Sequence, residues 1–479
     1  MSLRPPIAIG LAMLCAMAPA RSAELPKAAP VPASPFLPVI YKYADTLLER
    51  GRDTFGPIST GFFLSALDRT TLGLLTNRPP APAGVRETSR AGAKNGALTC
   101  ANLQHDENLL RLLFTLSELS AKPKYSNAAA AALTAFLTRT PSTNTHLLPW
   151  GEHLGWDVLR DEPAPADGAR LGTHQFFRPW ILWERCFDLA PAASQQVALG
   201  LREHHLNPRT GALALQADFA EHGLHDELDD PRQAGFFLRT WAIAYARTGD
   251  EQFLRACDRL LARFEKRISG PVQGAVAVSS LSLAIDCAGA AHHVPKPLSA
   301  RLRTCAAQAD ELFCGLPHSL KESHGFIIGS NLVVSRLWSA EPGTPTTAQV
   351  ALMCLSRYEN GAKLLAYREF IHAAADIYRN SSPPPELDLW PGTLGHVISL
   401  QLAAWRSTAR AEYLERAREL GRFALDKFFD QSPLPRASTK SEHYETITGA
   451  DTLALALVEL HLQVLHITAV RCPSNSIDR

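Results

Sequence analysis

The chain has 479 residues, of which 46% are hydrophobic, 20% charged and 8% aromatic. Its 48 Lys and Arg residues nearly balance its 47 Asp and Glu residues, which leaves a formal net charge of +1. This balance excludes the uniform charge excess of proteins that bind nucleic acids or anionic membranes. The apolar fraction is large enough to bury a core, so disorder and coiled coil are excluded as descriptions of the whole chain.

Residues 1–23 are predicted to be a secretory signal peptide. Arg4 supplies the positive start, and the apolar stretch Ile7–Met17 is too short to span a bilayer. Small residues then frame cleavage points after Ala20 or Ser22, and an uncleaved anchor is the alternative. We therefore expect an exported protein, periplasmic or extracellular, with no membrane span after signal cleavage.

Cysteine usage argues against a metal centre. The chain has nine cysteines, eight of which follow the signal peptide, and none forms a C-x-x-C pair. We therefore predict no zinc site and no cofactor, with a calcium requirement left open. Export permits one or two disulfides, but the spacing assigns no pairs, and most of these thiols are expected to be buried.

Helical periodicity dominates the rest of the chain. Leu109, Leu113 and Leu116 recur at i, i+4 and i+7, and the segment from Leu394 to Trp405 repeats this spacing. Strand-like alternation is hardly visible. The sequence therefore predicts an all-α protein.

A weak internal repeat divides the helices into hairpins. In three copies, a helix end and a short polar turn precede an aromatic residue that opens a second helix, at Tyr125, Phe253 and Tyr413. Small residues follow three to four positions later, which favours close packing of paired helices around the aromatic ring.

The hairpins predict a closed α/α toroid in a single large domain, residues 39–470, between a proline-rich linker (24–38) and a tail (471–479). The last long helix, Thr446–Thr468, is expected to pair with Val39–Arg50 and close the ring. An open helical solenoid is the alternative, although the irregular repeat lengths disfavour it. The other candidate pairs lie near residues 104–138, 174–205, 233–267, 274–314, 346–380 and 392–428.

The first of three polar and aromatic clusters is NLQHDEN, at residues 102–108, where a leucine-rich helix begins. His105, Asp106 and Asn108 crowd its first turn, and His105 and Asn108 share one helix face. They are candidates for substrate binding, with His105 also a candidate catalytic residue. Acidic capping of the helix is the alternative explanation.

The second cluster, WGEHLGWD at residues 150–157, is predicted to be neither helix nor strand. Trp150 and Trp156 suit stacking on sugar rings, since the C–H face of a pyranose matches an aromatic plane. Glu152, His153 and Asp157 are candidate catalytic groups. A loop anchored by tryptophan, with solvated carboxylates, is the alternative.

The third cluster is HQFFRPWILWER, at residues 174–185, in which Pro179 fits a first helical turn. The planar guanidinium of Arg178 could bind a carboxylate through two hydrogen bonds, so Arg178 is a candidate catalytic residue. His174, Trp180 and Arg185 are candidate substrate-binding residues. The alternative is an amphipathic helix start whose aromatic side chains lie in the core.

One candidate lies near the other end of the chain, in the stretch STKSEHYETITGAD at residues 438–451. Tyr444 precedes the closing helix, where a ring would bring it beside the first hairpin, and its hydroxyl could transfer a proton. Helix capping by Ser441 or Thr446 is the alternative for this stretch.

The helix pairs, together with HDEN, WGEH-x-x-WD and H-x-FFRPW, resemble secreted bacterial carbohydrate-active enzymes with α/α-toroid folds, and most closely pectate-lyase-like and uronate-processing families. The resemblance covers most of the mature chain in layout. It implies a cleft at one mouth of the ring and an oligosaccharide or polysaccharide substrate, of acidic character. No catalytic motif matches residue for residue, so no site residue is carried over.

Two reactions are compatible with these residues. In a lyase acting by β-elimination, Arg178, Asn108 or His105 would bind the uronate carboxylate, and His153 or Tyr444 would transfer protons. In a glycoside hydrolase, two of Glu152, Asp157 and Asp106 would act, with a separation of about 5–5.5 Å for retention or about 6.5–9.5 Å for inversion. The lyase is favoured by the histidines and arginines beside the tryptophans. A non-catalytic glycan-binding or scaffold protein is the third alternative.

Overall fold

The computed structural model describes residues 34–90, 98–165, 172–221, 230–268, 277–322, 324–329, 332–341 and 343–473. These residues form one compact unit. The predicted signal peptide and most of the predicted linker lie outside the described residues. In the part of the chain that is described, no helix combines the length and the apolar character needed to cross a bilayer.

Helices make up most of the described residues, as the periodicity predicts. The α-helices are α1 (Phe36–Arg50), α2 (Glu107–Ser120), α3 (Lys124–Arg139), α4 (Trp183–Leu189), α5 (Pro191–His205), α6 (Pro231–Thr248), α7 (Glu251–Ile268), α8 (Ala277–Ala290), α9 (Lys296–Cys314), α10 (Thr347–Arg357), α11 (Leu365–Asn380), α12 (Pro391–Thr408), α13 (Ala411–Phe428) and α14 (Ala450–Val464). Short 3₁₀ turns cover Glu87–Ser89 and Thr446–Thr448, and a π turn covers Tyr358–Ala362.

The helices form a closed double ring. Six consecutive pairs, from α2–α3 to α12–α13, pack as hairpins, and α14 packs against α1. The even-numbered helices contact one another in sequence, from α4 through α14, and α14 also contacts α2. The odd-numbered helices lie outside them. The predicted α/α toroid is therefore confirmed, including its closure by the last helix.

Aromatic residues fill the space between paired helices, as the repeat predicts. Tyr125, Phe253 and Tyr413 are at most 1% exposed, and the alanines that follow them in α3, α7 and α13 are buried too. Full burial of a side chain of this size contributes roughly 1.5–3 kcal/mol relative to its exposure. The small neighbours let the facing helix approach the ring closely.

The described residues also form seven short strands outside the helices: β1 (Ala66–Leu67), β2 (Cys100–Ala101), β3 (Leu154–Asp157), β4 (Glu162–Pro165), β5 (Thr173–Gln175), β6 (Gln216–Asp218) and β7 (Tyr444–Glu445). They pair antiparallel as β1–β7, β2–β3–β4 and β5–β6. All eight described cysteines are free thiols, six of them buried.

Two local predictions were wrong. The cluster at residues 150–157 was expected to contain no strand, yet β3 lies within it. Every residue of β3 is buried, so it shows no alternation of polar and apolar residues. The helix expected near Pro179 begins only at Trp183, because the preceding residues form β5 and a loop.

Candidate functional site

A cavity of about 480 Å³ lies where the N-terminal ends of the inner helices converge. His105 precedes α2, and Arg232 lies in the first turn of α6. Residues from the beginnings of α8, α10, α12 and α14 complete this part of the wall. Their free N–H groups and the helix dipoles place partial positive charge at the cavity, which favours an anionic ligand.

Arg178 contributes a full positive charge to the same wall. Its Nη1 donates a hydrogen bond to the carbonyl oxygen of Gln104, at 3.2 Å. Behind the wall lie the buried carboxyls of Asp106 and Asp451. Burial raises the pKa of Asp106 well above its usual range and that of Asp451 to about 6, while Arg178 opposes both shifts. The guanidinium therefore interacts electrostatically with this acidic pair while it lines the cavity.

Asn108 and Asp451 support the wall without lining it, and Asp106 is not among the lining residues either. Oδ2 of Asp451 accepts a hydrogen bond from the Leu109 backbone N–H at 2.9 Å. Asn108 Nδ2 donates to the hydroxyl of Thr452, also at 2.9 Å, and Thr452 does line the cavity. These contacts fix the start of α14 against the start of α2.

Two buried histidines line the cavity with Arg178. His105 is 7% exposed and packs edge-on against Phe177, and His396, in α12, is 6% exposed. Neither ring nitrogen of His396 has a hydrogen-bond partner among the residues that the structure describes. Burial, and secondarily the charge of Arg178, lowers the pKa of each imidazole to about 3. Both are therefore uncharged at neutral pH.

Glu152 lines the cavity next to two other polar lining residues, Ser89 and Arg86. Its Oε1 accepts a hydrogen bond from Ser89 Oγ at 2.8 Å and lies 3.9 Å from Arg86 Nη1. His153 lies next to it, with 3.7 Å between its Nε2 and Glu152 Oε2. Of the predicted catalytic residues, His105, Glu152 and Arg178 are thus brought to one cavity.

The predicted sugar-stacking residues are not among the residues that line it. Trp150 is fully buried and donates from Nε1 to His174 Nε2 at 2.7 Å. His174 Nδ1 in turn lies 2.8 Å from His205 Nε2. Trp180 packs 5.3 Å from the Trp150 ring, and Trp156 is buried in β3. These side chains build core, so the expectation that they contact a sugar is not met.

Four further candidates also lie elsewhere. His153 bonds through Nδ1 to the Thr88 carbonyl oxygen at 2.8 Å, outside the cavity lining. Asp157 accepts from the backbone N–H of Leu159 within its own turn. Tyr444 is fully buried, and burial raises its pKa well above the usual range, which makes it a poor proton donor. Arg185 is exposed on α4, over the Phe114 ring.

Sequence reasoning missed part of the wall. His396 and Trp390 lie at the start of α12 and line the cavity. The sequence places this tryptophan and histidine around a helix-opening proline, and this polar and aromatic helix start could have indicated a site as NLQHDEN did. Arg86 lies in a segment without helical periodicity, and no pattern distinguishes it from a surface residue. Gln175 lies within the third cluster but was not among its candidates. Arg232 follows an Asp-Pro helix start, which predicts capping and not a ligand.

Part of the chain is similar to a known protein family. The family model of the periplasmic pectate lyases matches residues 89–201, a range that includes His105, Glu152 and Arg178 and ends before α6. No curated protein sequence matches the chain.

Solved structures resemble the chain in fold. An α-1,2-mannosidase from Trichoderma reesei superposes with a TM-score of 0.52 at 9% identity, over 88% of this chain and 92% of that one. A cellobiose 2-epimerase from Bacillus thermoamylovorans has a TM-score of 0.45 at 9% identity, over 88% and 99%. The resemblance to pectate-lyase-like proteins and to α/α-toroid carbohydrate-active enzymes is thus confirmed.

Proposed function

We propose that the protein is an exported, periplasmic carbohydrate-processing enzyme that cleaves uronate-containing glycans by β-elimination. The observation that carries the proposal is that Arg178 lines one cavity together with two uncharged histidines. The periplasmic pectate lyase family match supports both the compartment and the class of substrate.

Binding begins with the carboxylate of the sugar. A guanidinium can hold a carboxylate through two parallel hydrogen bonds, and the converging helix N-termini add favourable potential. Neutral sugars lack the group that this arrangement suits. Asp106 and Asp451 interact electrostatically with Arg178 and partly compensate its positive charge before a substrate binds.

His105 is the proposed base. It takes the proton from C5 of the uronate, the electron pair forms the C4–C5 double bond, and the bond from C4 to the glycosidic oxygen breaks. The departing oxygen takes up a proton and leaves as a hydroxyl. Arg178 stabilises the negative charge that develops on the carboxylate during abstraction. Because the bound carboxylate offsets the charge of Arg178, it also increases the affinity of His105 for the proton.

A hydrolase is less well supported. Of the three predicted carboxyl groups only Glu152 lines the cavity, and Asp230 and Glu341 are the other acids among the described residues that line it. Each is paired with an arginine: Arg86 at 3.9 Å, Arg232 at 3.7 Å and Arg336 at 2.7 Å respectively. Hydrolysis requires two carboxyl groups that act together as acid and as base or nucleophile, and each of these three carboxylates has an arginine beside it instead.

The test incubates purified protein with polyuronates and follows the ultraviolet absorbance of a C4–C5 unsaturated uronate together with new reducing ends. Elimination predicts that both signals rise in equal amounts. Reducing ends without the absorbance would contradict it and indicate hydrolysis. His105→Ala should abolish turnover, and His153→Ala, next to the cavity but not in its lining, is the matched control.

A further inference from the structure

His396 is a buried polar side chain that the proposed reaction does not use. It lies in the second turn of α12, lines the cavity, and is 6% exposed. Among the described residues, neither ring nitrogen has a hydrogen-bond partner. Buried polar groups in folded proteins nearly always have partners, so an imidazole unpaired at both nitrogens in a cavity indicates a bound polar ligand.

A second unpaired atom lines the same cavity. Gln175 belongs to β5, where it pairs with Gln216 of β6. Gln175 also lines the cavity. Its Oε1 is buried and has no hydrogen-bond partner in the part of the chain that the structure describes. This oxygen accepts hydrogen bonds and cannot donate them, so its complement must carry a donor proton.

A carboxylate cannot satisfy these atoms. It is an acceptor only, whereas Gln175 Oε1 and one nitrogen of a neutral imidazole both need donors. Hydroxyl groups donate and accept, so they suit both residues. A ligand that also binds Arg178 must therefore carry an anionic group and free hydroxyls together.

We infer that His396 and Gln175 bind free ring hydroxyls of the same sugar unit whose carboxylate is held by Arg178. This inference rests on the proposed function and extends it to specificity. An acetyl ester on such a hydroxyl removes the donor proton and adds bulk in a cavity of about 480 Å³. The substrate is thus a uronide without acetyl esters on these hydroxyls. The reaction class that must supply it from acetylated glycans is hydrolysis of the acetyl ester.

The experiment compares O-acetylated and deacetylated samples of one polyuronate, with kcat/KM measured for the wild type and for His396→Phe. The wild type should prefer the deacetylated sample by roughly 10²-fold or more, because a site that binds a hydroxyl rejects its blocked analogue strongly. His396→Phe should lose most of this preference. Its melting temperature should not fall, since the replaced ring nitrogens make no bonds in the free protein.

His461→Phe is the matched control, because His461 is also buried and has an unpaired Nδ1 but lies in α14 outside the cavity lining. It should keep the wild-type preference. Equal turnover of both samples by the wild type, or an unchanged preference in His396→Phe, would overturn this inference alone. No turnover of any uronide would overturn the proposed function, and this inference with it.

Discussion

Replacing Arg178 tests the electrostatic core of the proposed mechanism. In Arg178→Met the guanidinium is lost at nearly constant length, and in Arg178→Lys the charge is kept while the planar fork is lost. Since Arg178 is the cation that lowers the pKa values of Asp106 and Asp451, we expect both carboxyls to bind protons more readily in Arg178→Met.

The magnitude follows from the two hydrogen bonds that a carboxylate would make. Each charge-assisted bond contributes about 1.5–3 kcal/mol, so losing both corresponds to roughly 10²- to 10⁴-fold in kcat/KM. Arg178→Lys retains one such bond and should lose roughly 10- to 100-fold. Neutral glycans, if they bind at all, should be affected less than acidic ones.

Steady-state kinetics on a polyuronate, followed by the ultraviolet absorbance of the product, measure these losses. Thermal unfolding of each variant confirms that the fold is retained. Arg185→Met makes the same chemical change at an exposed position on α4 and should leave kcat/KM unaltered. Wild-type kcat/KM in Arg178→Met, or an equal loss on acidic and neutral glycans, would refute the carboxylate role.

Three further outcomes are expected. His153→Ala should retain wild-type turnover, contrary to the expectation from sequence, and an inactive but folded variant would return this residue to the mechanism. Tyr444→Phe removes the hydroxyl contact with Tyr43, which is 3.1 Å long, so urea unfolding should show a loss of about 1 kcal/mol with activity intact. A large loss of activity would contradict the placement of Tyr444 outside the cavity lining. The pKa of His396 is about 3 when folded and about 6.5 when unfolded, so the unfolded chain binds its proton first as the pH falls. Unfolding free energies should therefore show the wild type losing up to about 1.4 kcal/mol per pH unit below pH 6.5 relative to His396→Phe, and parallel pH profiles would contradict a neutral His396.

Much of the fold was predictable because it is local. Helical periodicity and the turn-aromatic pattern depend on residues three or four positions apart, and this locates the six hairpins from α2 to α13. Closure by α14 was predictable from its nearly continuous apolar composition, which requires burial on all sides. The strands were not, because β2 pairs with residues of β3 about 55 positions away, and because the complete burial of β3 removes the alternation that would reveal it.

The site was less predictable, since it is assembled by ring closure. Arg178 and His105 carry chemical groups that stand out in any context. Trp150 and Trp180 stand out equally, yet they are core, because a sequence shows an aromatic cluster without showing whether it faces a cavity. His396 lies almost 300 residues after His105 in the chain and reaches the same cavity because α12 begins where α2, α6, α8, α10 and α14 also begin.

A crystal structure of the inactive His105→Ala variant with a bound saturated uronate oligosaccharide would show directly whether Arg178 holds the sugar carboxylate. We expect a carboxylate in the cavity with its two oxygens about 3 Å from the guanidinium nitrogens of Arg178. A sugar bound elsewhere on the ring, or one whose carboxylate points away from Arg178, would contradict it.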